Sequence, residues 1–168
     1  MHWHQLFLSL GGNLGDKAEI FENTLSLISE NIGEITKLSS IYESPAWGFE
    51  SDFMFWNRVL MVDTLLSPSE VLDEIGKIEL LFGRQRCRGN YLSRKMDIDI
   101  LFYDSLILKT DTLTIPHPLM GARRFILEPM AEIAPLFIHP ETGTSVKTLL
   151  EMCSDQADVE KIAPKFLK

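Results

Sequence analysis

The chain has 168 residues, of which 45% are hydrophobic and 24% are charged, and this balance indicates one globular domain rather than a disordered or fibrous chain. Sixteen basic against 24 acidic residues give a net charge of −8, which disfavours binding to nucleic acid or to an anionic membrane. The sequence has no signal-peptide pattern and no run of 18 apolar residues, so we expect a cytoplasmic protein.

The N-terminal part of the chain predicts a strand, a glycine-rich turn and a helix. Residues 5–10 predict a buried strand that leads into the sequence LGGNLG at residues 10–15, which is typical of a turn. Asp16 and Glu19 have the spacing of a capping box. The apolar residues that follow recur at intervals of three and four, which predicts an amphipathic helix.

Two further strands are predicted at residues 34–42 and 57–65, and an irregular aromatic segment, residues 44–57, separates them. Exposed rings on a loop suit stacking on a flat heterocycle, and Asn57 would donate and accept hydrogen bonds at the edge of that heterocycle. The alternative is that the rings simply fold onto the core. The aromatic residues of the segment are Trp47, Phe49, Phe53, Phe55 and Trp56.

The second predicted helix has strong boundary signals. Ser67 supplies an N-cap, Pro68 occupies the first helical position, and Glu70 is the capping glutamate. Gly83 lies where a C-terminal glycine is expected. A polar loop follows this helix and leads to a strand at residues 96–103.

Shorter elements are predicted in the rest of the chain, namely a strand pair near residues 106–113 and helices at 121–133 and 145–152. The overall order of elements predicts an α+β fold, the ferredoxin-like βαββαβ sandwich, in which two helices cover one face of an antiparallel sheet. We expect a single domain over residues 1–153 and a loosely held C-terminal tail over residues 154–168.

The strand at 96–103 contains a pair of carboxylates. Asp97 and Asp99 share a face, because residues two apart in a strand point the same way, and their Cα atoms would lie about 6.5–7 Å apart. This spacing suits one or two hard cations, and the alternative is a solvated strand face paired with neighbouring cations. The loop before the strand favours a phosphate and metal site, because it has five basic residues and no acidic one. Its basic residues are Arg84, Arg86, Arg88, Arg94 and Lys95.

Two other polar residues stand out, and two interpretations of each remain open. Glu79 falls between the apolar positions of the second helix, which indicates either a structural ion pair with an arginine or a ligand contact. His117 lies between two prolines that would hold its imidazole in place, although a single histidine is more often structural. The familiar glycine-rich phosphate signatures are missing from the sequence, so side chains would have to bind most of the phosphate.

A series of short motifs, in order and spacing, resembles the 6-hydroxymethyl-7,8-dihydropterin pyrophosphokinase family of folate biosynthesis. The resemblance runs from about residue 6 to residue 150. The motifs are LGGNLG (10–15), SSIYESP (39–45), Asn57, IE (78–79), GRQR (83–86), RKMDIDILF (94–102), LTIPHP (113–118) and RRF (123–125).

The resemblance implies an enzyme that transfers the β,γ-pyrophosphoryl group of ATP to the hydroxymethyl group of a reduced pterin, with AMP as the other product. It implies two Mg²⁺ ions held by Asp97 and Asp99, and catalytic roles for Arg84 and Arg94 besides these aspartates. The residues implied around ATP are Glu79, Arg84, Arg86, Arg94, Ile100, His117 and Arg123. The residues implied around the pterin are Ser44, Pro45, Trp47, Phe55, Asn57 and Phe125.

The chain also departs from the family pattern at a few positions. Phe55, which with Phe125 would sandwich the pterin ring, stands where some members have a tyrosine, so stacking is kept and a hydroxyl is lost. In the loop before the aspartates, Asn90, Tyr91 and Ser93 replace an arginine, a tryptophan and a proline that are found in some members.

Two other functions fit part of the pattern. A nucleotidyltransferase also uses paired aspartates on a strand, but its glycine turn lies shortly before them, whereas here 85 positions separate Gly12 from Asp97. A non-catalytic module that senses a small ligand would leave the acid-free arginine loop unexplained. We therefore expect a magnesium-dependent enzyme whose partners are ATP and the pterin, and we expect it to be a monomer.

Overall fold

The structure is a computed structural model, and it describes residues 1–83 and 93–162. The strands are β1 (His4–Gly12), β2 (Gly33–Leu38), β3 (Tyr42–Ser44), β4 (Phe55–Thr64), β5 (Asp97–Tyr103), β6 (Leu108–Lys109), β7 (Thr114–Ile115) and β8 (Glu160–Lys161). The helices are α1 (Lys17–Asn31), α2 (Pro68–Leu81), α3 (Arg124–Ile133) and α4 (Val146–Met152), and a 3-10 turn spans Met120–Ala122.

The main sheet is antiparallel and has the strand order β5-β1-β4-β3-β8, with β2 also paired to β4. β6 and β7 form a separate two-stranded sheet. The chain order β1, α1, β2, β4, α2, β5 is the predicted βαββαβ order, so the prediction of an α+β, ferredoxin-like fold is confirmed. Among the helices of the described ranges, none combines the length and the apolar composition that crossing a membrane requires.

Both faces of the sheet are covered, although one is covered only in part. Leu8, Leu10 and Ile98 belong to a core shared with α1 and α2, as predicted for one face. On the other face, Val59 and Leu101 belong to a second core with α3 and α4, which the prediction did not include. The second core stops short of one end of the sheet, and that end carries the pocket described below.

The helix boundaries follow from local chemistry and agree with the prediction. The Asp16 side chain accepts a hydrogen bond from the Glu19 amide at 3.1 Å, which caps α1. Ser67 and Glu70 make both hydrogen bonds of a capping box at the start of α2. Gly83, just after α2, has a φ of +77°, a conformation that favours glycine at a helix C-terminus.

Strand boundaries differ from the prediction where pairing across the sheet decides them. β1 continues to Gly12 because Gly11 pairs with both β4 and β5, so the predicted turn begins only after Gly12. The single strand predicted at 34–42 is two strands, β2 and β3, and β4 begins at Phe55 rather than at residue 57. The strand propensity of one segment does not tell which distant segment it pairs with, so these boundaries could not be predicted from it.

The segment after α4 returns to the sheet. Glu160 and Lys161 form β8, which pairs with Glu43 and Tyr42 of β3. The described part of the expected tail is therefore attached to the sheet edge at residues 160–161, while a domain boundary at residue 153 stays a prediction.

Candidate active site

A pocket lies where β1 ends and β4 and β5 begin, on the face of the sheet that also carries α3. Its lining combines apolar and aromatic side chains with a few polar and charged ones, which is typical of small-molecule sites. Its lining residues are Ser9, Leu10, Gly11, Ser44, Pro45, Trp47, Phe49, Phe55, Asn57, Arg58, Arg94, Asp97, Asp99, Arg123, Phe125 and Ile126.

Gly11 forms the floor of the pocket between two functional side chains. It pairs with Asn57 of β4 on one side and with Asp97 of β5 on the other. Neighbouring strands are about 4.8 Å apart, so these two backbones are about 10 Å apart with only a glycine between them. A glycine within a strand marks a place where a ligand can approach the backbone closely.

The two aspartates lie on the charged side of the pocket. Asp97 and Asp99 are half-buried and line it, whereas Ile98 and Ile100 are buried on the opposite face of β5. The Arg94 guanidinium Nη1 lies 2.6 Å from Oδ2 of Asp97 and forms an ion pair with that carboxylate. This arrangement combines hard oxygen ligands with a cation that offsets part of their charge.

Asn13 holds the backbone of Arg94 in position from the end of β1. Its side-chain Oδ1 accepts a hydrogen bond from the Arg94 backbone amide at 2.9 Å, and its backbone N–H donates to the Arg94 carbonyl at 2.9 Å. Its Nδ2 donates to Ser93 Oγ at 3.0 Å and to the Phe53 carbonyl at 3.2 Å. Asn13 is 3% exposed, so this buried amide joins the aromatic segment to the chain just before the aspartates.

The aromatic side of the pocket is built from the segment between β3 and β4 and from the start of α3. The Arg123 guanidinium lies 4.6 Å from the Trp47 ring centroid and 5.8 Å from that of Phe125, which are cation–π distances. The Phe55 ring meets Phe49 edge to face at 5.9 Å. Flat rings on this side suit a flat heterocyclic ligand.

The Asn57 amide has a defined orientation in the pocket wall. Its Nδ2 donates to Ser44 Oγ at 2.8 Å and to the Tyr42 carbonyl at 3.3 Å. The two amide hydrogens are therefore used within the protein, and Oδ1 is the group that can accept a hydrogen bond from a ligand. A Cβ atom placed on Gly11 would lie 3.6 Å from this oxygen, so the oxygen faces the pocket floor.

Three residues that the resemblance assigns to ATP are described but do not line this pocket. Glu79 is 2% exposed, and its carboxylate accepts from the Ile98 amide at 3.3 Å, so it supports β5 between the two aspartates. Ile100 is buried in the core. His117 is partly buried and its Nδ1 accepts from the Leu119 amide. Burial, and then the charge of Arg123, lower the pKa of His117 to about 4, so its imidazole is neutral at pH 7.

All six residues that the resemblance assigns to the pterin meet in this one pocket, together with Arg94, Arg123 and both aspartates. Arg84 and Arg86 lie outside the described residues. Sequence reasoning missed Ser9 and Gly11 as lining residues. The signal was available, because small or polar residues alternate with Leu8 and Leu10 at the end of an otherwise apolar strand.

Gly12 is the position at which an added methyl group should disturb this site most directly. A Cβ atom there would overlap the backbone carbonyl of Lys95, next to the hydrogen bonds between Asn13 and Arg94. We expect Gly12→Ala to lower the free energy of unfolding by about 1–3 kcal/mol, because the backbone before β5 must move. Urea unfolding followed by circular dichroism measures this change.

Gly76→Ala is the matched control for this substitution. A Cβ atom at Gly76, in the middle of α2, would meet no atom within 4 Å other than those of its chain neighbours and the backbone of its own helix. The same replacement should raise the free energy of unfolding by about 0.5–1 kcal/mol, because alanine is the better helix former. Equal effects of the two substitutions would contradict the close approach of Gly12 to Lys95.

Comparisons with known proteins agree with this architecture. The family model described as "7,8-dihydro-6-hydroxymethylpterin-pyrophosphokinase (HPPK)" matches residues 7–135. A protein of Aquifex aeolicus named "2-amino-4-hydroxy-6-hydroxymethyldihydropteridine pyrophosphokinase" is 41% identical over 135 residues, which are 80% of this chain and 83% of that protein.

Two longer proteins also match nearly the whole chain. "Folic acid synthesis protein FOL1" of Dictyostelium discoideum is 36% identical over 159 residues, which are 95% of this chain and 24% of that protein. The "Crystal structure of Plasmodium falciparum HPPK-DHPS wild type with SDX-DHP" superposes with a TM-score of 0.73 at 17% identity, over 90% of this chain and 44% of that one. At this identity the superposition establishes the fold alone. The chain thus spans about a quarter of the first protein and less than half of the second.

Proposed function

Because the chain belongs to the 7,8-dihydro-6-hydroxymethylpterin-pyrophosphokinase family, we propose that ATP and the pterin meet in the pocket at the end of β1, β4 and β5. The activity is that of the family: pyrophosphate is transferred from ATP to 6-hydroxymethyl-7,8-dihydropterin in folate biosynthesis. The observation that supports the pocket most is that two carboxylates on one side face a group of aromatic rings on the other.

The pterin binds on the aromatic side in this proposal. Phe55 and Phe125 stack on the two faces of its ring, with Trp47 and Pro45 completing the wall. Asn57 accepts a hydrogen bond through Oδ1, since Ser44 and the Tyr42 carbonyl already take its amide hydrogens. A ring N–H or amino group of the pterin provides the matching donor.

Two Mg²⁺ ions bind to Asp97 and Asp99 in this proposal. The two side chains fit such ions, because both are carboxylates, both line the pocket and both lie on one face of β5. When bound, the ions neutralise phosphate charge and orient the triphosphate. Arg94, paired with Asp97, keeps that carboxylate aligned, and Glu79 holds the strand that carries both aspartates.

ATP binds on the charged side of the pocket and along β5. Arg94 and Arg123, which line the pocket, bind the phosphates of ATP. The resemblance assigns the same role to Arg84 and Arg86. Glu79, Ile100 and His117 are also assigned to ATP from the resemblance, around the rest of the nucleotide. Arg84 and Arg94 are the arginines that we assign to catalysis.

The transfer forms one bond and breaks one bond. The pterin hydroxyl oxygen attacks the β-phosphorus of ATP, and the bond from that phosphorus to the α,β-bridging oxygen breaks. AMP leaves with the bridging oxygen, and the hydroxyl proton is released to the solvent. The chain's contribution is to hold the hydroxyl in line with the β-phosphorus and to exclude water. The ion pair between Arg94 and Asp97 restrains these two side chains on the charged side of the pocket.

Product analysis tests this proposal against the two alternatives. The protein is incubated with hydroxymethyldihydropterin, ATP and magnesium, and the products are separated by chromatography. AMP together with the pterin pyrophosphate supports the proposal. Free pyrophosphate together with a nucleotidylated pterin would indicate a nucleotidyltransferase, and binding without turnover would indicate a ligand-sensing module.

The protein acts in the cytoplasm as a monomer in this proposal, with its two small-molecule substrates as partners and without nucleic acid or membrane. The net charge of −8 supports the absence of anionic macromolecular partners. Sedimentation equilibrium at micromolar protein concentration checks the oligomeric state, and a mass twice that of the chain would contradict the monomer.

A further inference from the structure

We propose that His2, His4 and Asp104 form a second metal site, which binds a divalent first-row transition-metal ion such as Zn²⁺. The three side chains meet at the far end of the sheet from the pocket, because β1 begins at His4 and β5 ends just before Asp104. Seven positions along β1 separate His4 from Gly11, which corresponds to about 23 Å. The cluster is therefore distinct from the site of pyrophosphoryl transfer.

The candidate ligand atoms are already close together. Within the part of the chain that the structure describes, one nitrogen of each histidine and one oxygen of Asp104 lie within 4.8 Å of one another. His4 Nδ1 is 2.6 Å from Asp104 Oδ2. The ligand atoms of a tetrahedral zinc ion with bonds of about 2.0–2.1 Å lie about 3.3 Å apart. Metal binding therefore requires the most distant pair to approach by up to about 1.5 Å, and His4 Nδ1 and Asp104 Oδ2 to separate by about 0.7 Å.

His4 and Asp104 form the fixed half of the site. The other oxygen of Asp104 accepts a hydrogen bond from the Gln5 amide at 2.7 Å, which holds the carboxylate in place. The His4 ring lies 4.8 Å from the Tyr103 ring, and the Tyr103 hydroxyl is itself anchored by a hydrogen bond to the Leu66 carbonyl. Partners of this kind orient the ligands, and metal binding would replace the hydrogen bond between His4 Nδ1 and Asp104 Oδ2.

His2 is the ligand that can close the site. It lies before the start of β1, it is exposed, and its ring meets the His4 ring edge to face at 4.8 Å. A side chain outside the sheet can move by the required distance without breaking backbone pairing. Three protein ligands would leave a fourth position for water, as in open zinc sites.

The ligand set distinguishes this site chemically from the pair of catalytic aspartates. Imidazole nitrogen suits zinc, copper and nickel, whereas Mg²⁺ prefers an all-oxygen shell. The N-terminal site should therefore select a transition metal in the presence of excess magnesium. Bound metal would tie the N-terminal segment to the turn after β5, so it should raise thermal stability.

Titration of the full chain with zinc chloride in excess magnesium tests the proposal. We expect one equivalent of Zn²⁺ to bind, and the melting temperature to rise by roughly 5–10 °C at zinc concentrations about 100-fold above the dissociation constant. Co²⁺ in place of Zn²⁺ should give visible absorption bands of a nitrogen- and oxygen-ligated ion. His2→Gln and Asp104→Asn should each weaken Zn²⁺ binding by at least about tenfold, as loss of one direct ligand requires.

Two control variants locate the bound ion. His139→Gln removes a histidine that does not belong to the cluster and should leave the titration unchanged. Asp97→Asn alters the catalytic carboxylates and should also leave it unchanged. Zinc binding that is lost in Asp97→Asn, or that persists unaltered in His2→Gln and Asp104→Asn, would overturn the N-terminal site. Pyrophosphokinase activity does not enter the readout, so the outcome is independent of the proposed catalytic roles.

Discussion

Asp97→Asn should lower the rate of pyrophosphoryl transfer by about a thousandfold or more, with folding unchanged. Asparagine has nearly the same shape as aspartate but lacks the negative charge that a magnesium ligand requires. Metal ions contribute several kcal/mol of transition-state stabilisation in such reactions, and about 4 kcal/mol corresponds to a thousandfold. The measurement is AMP formation at saturating ATP and pterin over a range of magnesium concentrations.

Asp63→Asn is the matched control for this prediction. Asp63 is also half-buried in a strand, but it lies on β4 opposite Gln5, at the other end of the sheet from the pocket. Its replacement should leave the rate within about twofold of that of the unaltered protein, as for surface substitutions far from a site. If Asp97→Asn turns over as fast as Asp63→Asn, the assignment of the metal to Asp97 is wrong.

Phe125→Ala should raise the KM for the pterin by roughly 10- to 100-fold while leaving the KM for ATP little changed. Stacking of a flat heterocycle on an aromatic side chain contributes about 1–3 kcal/mol when measured by replacement with alanine. Phe125 lines the pocket beside Arg123. Phosphate groups have no flat ring on which Phe125 could stack, so its loss should affect the pterin first. Initial rates with each substrate varied in turn separate the two KM values.

Phe53→Ala shows whether the loss of any ring near the pocket has the same effect. The Phe53 side chain is 60% exposed and is not among the pocket-lining residues, although its backbone carbonyl accepts from Asn13. This carbonyl remains after the substitution, so kinetics should stay close to those of the unaltered protein. A selective rise in the KM for ATP in Phe125→Ala would indicate that Phe125 contacts the nucleotide rather than the pterin.

Much of this site could be predicted because its key features are local. Alternation along a strand is enough to put Asp97 and Asp99 on one face, with Ile98 on the other. The boundaries of the two long helices were also predictable, because Asp16 and Ser67 cap the turns that directly follow them. Each of these features depends on residues within a few positions.

Glu79 shows where local reasoning stops. Its position on α2 indicated a partner, but not whether that partner was an arginine or a ligand. In the structure its carboxylate accepts a hydrogen bond from the Ile98 amide, which lies on β5. A helix and a strand that are far apart in sequence meet only through packing, and the apolar periodicity of the helix does not predict that contact.

The sequence by itself determined the family, the order of elements, and the shared face of the two aspartates that the proposed metal site requires. Only the tertiary structure decided that Gly11 lies between Asn57 and Asp97, that α3 and α4 cover part of the second sheet face, and that the remainder forms a pocket. The physical reason is range. Caps and strand alternation act over a few residues, whereas strand register and the docking of helices depend on the burial of apolar surface by segments that are distant in the chain.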